Sequence, residues 1–109
     1  MEMSKQSQEK IGQLQLIEQN MQNLLVQKQN YQSQLFETES ALKELESKTS
    51  AYKIIGNIMV ASDPKDLKKD LEKSKEMLNL RLSSLEKQEG ALKEKANLLQ
   101  ADILKDIKK

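Results

Sequence analysis

The chain has 109 residues, of which 37% are hydrophobic, 3% aromatic and 32% charged, with 18 Lys and Arg against 17 Asp and Glu. There is too little apolar and aromatic material for a large compact core, and the lack of Cys and His removes disulfides, thiolate or imidazole metal sites, thiol nucleophiles and the usual general base. Three Gly and one Pro fit long helices rather than a sandwich, a barrel or a disordered tail. The expectation is a mainly α, single domain over residues 1–109, not an enzyme, with no cofactor.

Basic residues alternate with acidic ones in the second half, which reads as a solvated helix face, so no nucleic-acid partner is expected. No apolar run approaches the roughly 18 residues of a membrane span, and the polar start MEMSKQSQEK is unlike a signal peptide. A cytoplasmic protein without a membrane partner follows as the expectation.

From Lys10 a seam spaced alternately by three and four runs through Leu14, Ile17, Met21, Leu24, Lys28, Tyr31, Leu35, Thr38, Leu42, Leu45, Thr49 and Tyr52. It predicts a first helix over about residues 5–50, about 65 Å long at the usual rise per residue. Leu25 and Phe36 fall off this seam, eleven residues apart on one helix face, and are expected to pack inward against the partner helix, the alternative being that they line a cavity between neighbouring arms.

Residues 52–61, YKIIGNIMVA, break the helical period. Ile and Val around Gly56-Asn57 read as a β-hairpin with a two-residue turn, placing Ile55 opposite Ile58 and Ile54 opposite Met59. Both faces of this hairpin are mostly apolar. A lone two-stranded hairpin is marginal in water and leaves two free edges, so Tyr52, Ile54, Ile55, Gly56, Asn57, Ile58, Met59 and Val60 are read as an oligomerisation element that pairs with other subunits into a β-barrel.

Asp63-Pro64 then announces a second helix over about residues 63–107, with Asp63 as the cap and Pro64 at the first helical position. Its seam is Leu67, Leu71, Ser74, Leu78, Leu82, Leu85, Glu89, Leu92, Ala96, Leu99 and Ile103, with one slip around Leu78. Folding back at Gly56-Asn57 predicts that facing seam residues have numbers summing to a near-constant, and they do: Leu45 with Leu71, Leu42 with Ser74, Leu24 with Leu92 and Ile17 with Leu99 give 116, while Leu35 with Leu82, Met21 with Ala96 and Leu14 with Ile103 give 117. The same rule sets Lys28 opposite Glu89, an opposite-charge pair that fixes register, and nearly sets Lys10 opposite Asp106. A parallel dimer would instead set like charges side by side. The prediction is a long antiparallel two-helix coiled coil with one central hairpin.

Near the two chain ends the apolar supply exceeds what one seam can use. Met1, Met3, Ile11, Leu16, Leu98, Leu104 and Ile107 form the surplus, and the fraying turns that carry Met1, Met3, Leu104 and Ile107 offer adaptable contact to a non-native chain; the alternative is that Ile11, Leu98 and Leu104 merely widen the seam.

The run YKIIGNIMV between two heptad helices, with the later LNLRLSSLEKQEGALKEK, resembles prefoldin, and a single hairpin is similar to its β-class subunit. That resemblance implies a heterohexamer of two α-class and four β-class subunits, whose hairpins form a double β-barrel bearing six coiled-coil arms. It implies ATP-independent capture of unfolded client proteins at the arm tips and delivery to a group II chaperonin. No Gly-rich Walker loop occurs in the sequence. The alternative is a structural coiled-coil scaffold or spacer without client binding; an RNA-binding helical arm would need a continuous basic face that the sequence lacks.

Overall fold

The computed structural model describes residues 4–108. The elements in chain order are α1 (Lys5–Leu45), β1 (Ala51–Ile55), β2 (Ile58–Ser62) and α2 (Pro64–Lys108). Two long helices thus flank a central antiparallel two-stranded hairpin.

Helix α1 ends at Leu45 rather than near residue 50. Its carbonyls are taken up by short-range bonds, from Glu46 N–H to Lys43 O at 3.4 Å and from Lys48 N–H to Leu45 O at 3.3 Å, which tighten and stop the helix. The Ser47, Thr49 and Ser50 that follow compete for backbone hydrogen bonds outside a helix. Thr49 and Tyr52 therefore do not extend the helical seam, and the nearby buried residue is Ala51.

The strands pair Ala51–Ser62, Tyr52–Ala61, Lys53–Val60, Ile54–Met59 and Ile55–Ile58. Gly56 has φ +60° and no described non-glycine residue has positive φ, so the turn has its left-handed position first, the type II′ pattern whose twist suits a hairpin. Helix α2 starts where expected: Asp63 Oδ1 accepts from Lys65 N–H at 2.9 Å, the Asp63 carbonyl accepts from Leu67 N–H at 3.0 Å, and Asp66 lies in the first turn.

The chain divides into two compact units, Met1–Gln29 with Ser83–Lys109, and Asn30–Leu82. In the first, Ile17 and Leu24 of α1 and Leu85, Leu99 and Ile103 of α2 are buried. Leu14, Met21, Lys28, Glu89, Leu92 and Ala96 are half-buried in phase with them. Lys10 near Asp102 and Lys28 near Glu89 fix the two helical segments as antiparallel.

In the second unit Leu78 and Leu82 are buried, with Tyr31, Leu35, Leu42, Leu45, Leu67 and Leu71 half-buried. The Arg81 guanidinium stacks over the Tyr31 ring, 5.7 Å from its centroid. Here the seam corrects one expectation: Ser74 is exposed and Lys75 is half-buried, its Nζ 3.8 Å from Glu39 Oε1. The double step of four falls on Leu67–Leu71–Lys75, ahead of Leu78. Two consecutive steps of four locally unwind the pairing, and the Lys stem tolerates the seam because its charge reaches water.

A pair of helices covers each seam residue from one side only, and no described large side chain is wholly enclosed. Full burial of a Leu or Ile is worth about 1.5–3 kcal/mol and the half-buried seam residues realise only part of it, so stability is spread along the helices rather than concentrated in a core.

Candidate functional site

The hairpin is the most conspicuous surface of the second unit. Tyr52, Ile54, Ile55, Ile58, Met59 and Val60 are all exposed, with Ile54 at 72%. The strand register sets Tyr52, Ile54, Met59 and Ala61 on one face and Lys53, Ile55, Ile58 and Val60 on the other. Neither face is covered, and among the described residues the sheet has only its two strands, so each outer edge has unused backbone donors and acceptors. Beneath the hairpin an open groove of about 400 Å³ is lined by Ala41, Leu45, Ala51, Tyr52, Met59 and Leu71 among others. A β-ribbon that is greasy on both faces gains by pairing edges and stacking faces with other ribbons.

The first unit carries the residues assigned from sequence to client contact. Leu16, Leu98, Leu104 and Ile107 are exposed, Leu98 at 64%, and Ile11 is half-buried against the seam. Met1 and Met3 lie outside the described residues. Leu16 sits one residue before the buried Ile17, and Leu98 one residue before the buried Leu99. Both are therefore turned about a quarter-turn away from the seam, where a two-helix pairing has nothing to cover them.

The same geometry corrects the expectation for Leu25 and Phe36. They follow Leu24 and Leu35 directly, and both are exposed, Phe36 at 71%. Their eleven-residue spacing does give them a common face, but a third helix would be needed to bury it. Val26, Met77 and Leu80 are exposed in the same way and went unremarked in the sequence reading; they could have been found by striking out every seam position and asking which large apolar residues remain.

Lys28 Nζ and Glu89 Oε2 lie 3.6 Å apart, with side chains 23% and 36% exposed. Lys10 Nζ lies 3.4 Å from Asp102 Oδ2, while Asp106 accepts from the Ser7 hydroxyl at 2.6 Å and from Ser4 N–H at 3.2 Å. This corrects the expectation that set Lys10 nearly opposite Asp106: Lys10 pairs with Asp102, one turn earlier on α2, and the bonds of Asp106 to Ser4 and Ser7 depend on helix-end geometry and not on the seam. Among the described residues no group of three or more His, Cys, Asp or Glu is arranged to hold a metal, and no helix is long and apolar enough to cross a membrane.

Residues 8–109 match the family model described as prefoldin subunit. The chain is 35% identical over 97 residues to prefoldin subunit beta of Archaeoglobus fulgidus, covering 86% of this chain and 84% of that one. It is 33% identical over 99 residues to prefoldin subunit beta of Saccharolobus islandicus, covering 88% and 79%. Among solved structures, it is similar to the crystal structure of the prefoldin beta subunit from Thermococcus strain KS-1, with a TM-score of 0.88, 35% identity, and coverage of 94% of this chain and 92% of that one.

Proposed function

The chain belongs to the prefoldin subunit family, a family of non-enzymatic chaperone subunits, and from that premise we propose that it captures unfolded polypeptides without ATP and delivers them to a group II chaperonin. It acts within a cytoplasmic heterohexamer of two α-class subunits and four copies of this chain, assembled through the hairpins into a β-barrel. The observation that supports this most is the hairpin itself, exposed on both faces and open at both edges, a marginal element that other ribbons would complete.

Capture falls to Leu16, Leu98, Leu104 and Ile107, with Ile11, Met1 and Met3 at the same chain ends. A Leu or Ile that moves from water into contact with a non-native chain contributes about 1–2 kcal/mol at partial burial. Contacts of that size hold nothing singly, so retention comes from several subunits gripping one client. In the complex reconstituted with an α-class partner, Leu16→Ser, Leu98→Ser, Leu104→Ser and Ile107→Ser together are expected to abolish suppression of client aggregation while the mass of the complex stays the same. Undiminished suppression by the quadruple variant would contradict the assignment.

A further inference from the structure

At the start of α1 the sequence supplies half of a capping box. Ser4 is the N-cap: its Oγ accepts from Ser7 N–H at 3.1 Å and its carbonyl accepts from Gln8 N–H at 3.1 Å. In a complete box the third helical residue is Glu or Gln, which reaches back to the N-cap N–H. Here that residue is Ser7, whose side chain is too short to reach.

The acceptor comes from the other helix. Asp106 Oδ2 of α2 accepts from Ser4 N–H at 3.2 Å and from the Ser7 hydroxyl at 2.6 Å, the second a short charge-assisted bond. Ser7 is 2% exposed, so breaking this bond strands a buried hydroxyl. The carboxylate also faces the positive end of α1, where a negative charge is favoured. One turn along each helix, Lys10 meets Asp102, giving a second polar layer on the same side.

We propose that Asp106 completes the α1 capping box from α2, so that the first turns of α1 and the last turns of α2 order and open together as one latch. The latch keeps Leu104 and Ile107, expected from sequence to lie in fraying turns, on a formed surface together with Ile11. That consequence rests on the capture reading above; the latch itself does not.

Amide hydrogen exchange on the full chain tests it. Asp106→Ala is expected to speed exchange at Gln8 to Ile11, on the helix that was not altered, about tenfold, and Ser7→Ala to do the same for Ile103 to Ile107. Adding Ser7→Glu to Asp106→Ala puts a capping-box residue back within α1; exchange at Gln8 to Ile11 then returns to the wild-type rate while Ile103 to Ile107 stays fast. Unchanged exchange on the unaltered helix in both single variants, or failure of Ser7→Glu to restore α1, overturns the proposal. Because the readout is exchange in this chain alone, a failed capture reading would leave the result intact.

Discussion

Lys28 of α1 and Glu89 of α2 meet across the helix pair with 3.6 Å between Nζ and Oε2. Each interrupts a mainly apolar seam, and each is tolerated because the other stands opposite. A one-heptad slip of either helix would set Lys28 against a different layer and leave both charges half-buried without a partner. At this partial exposure solvent screens the pair, so its use lies in fixing register more than in stability.

Reversing one charge, Lys28→Glu or Glu89→Lys, is expected to destabilise the chain by about 1 kcal/mol, and the double reversal to recover most of it. Urea unfolding of the three variants gives the coupling energy directly. Additive losses in the double variant would show that the two side chains do not act as a pair.

The seam places Lys75, not Ser74, against α1. Lys75→Leu is expected to raise stability by about 1 kcal/mol, since the stem is already half-buried and the Glu39 contact at 3.8 Å is exposed and weak. Ser74→Leu adds apolar surface that stays in water and is expected to add nothing. The shift in unfolding midpoint decides between the two positions; a larger gain from Ser74→Leu would put the slip back near Leu78.

Gly90 sits inside α2 with nothing within 4 Å of where a Cβ would stand. Gly90→Ala is therefore expected to stabilise the helix by about 1 kcal/mol through reduced backbone freedom alone. Thermal unfolding measured by circular dichroism is sufficient to see it.

At the hairpin turn the same substitution works the other way. Gly56 has φ +60°, so Gly56→Ala forces an L side chain into the left-handed region at a cost of about 1–2 kcal/mol, although open space surrounds the site. Loss of the cross-strand signals between Ile55 and Ile58 in a nuclear magnetic resonance spectrum, with helix content kept, is the expected signature.

The helices, the turn at Gly56-Asn57 and the Lys28–Glu89 layer were legible in the sequence because each follows from a period or a fixed offset. An antiparallel pair makes residue numbers on facing seams sum to a constant, and that arithmetic needs no coordinates. What was not legible depends on local geometry that such rules average over. Whether Ser74 or Lys75 enters the seam turns on where the pairing absorbs one extra residue. Where α1 stops depends on competition for its last carbonyls at Glu46 and Lys48. The inward packing expected for Leu25 and Phe36 failed because periodicity identifies a shared face without saying whether anything covers it. Asp106 was set nearly opposite Lys10, and its bonds to Ser4 and Ser7 were missed because an acceptor supplied by a second helix leaves no motif in the first.

The proposed assembly rests on the hairpin, whose exposed Ile54 and Ile58 would recruit other subunits. Sedimentation of this chain with an α-class prefoldin subunit measures that directly. The expected result is a hexamer of two α-class subunits and four copies of this chain, abolished by Ile54→Lys with Ile58→Lys while helix content is unchanged. A wild-type chain that stays single in the mixture, or a hexamer that survives both lysines, would contradict it.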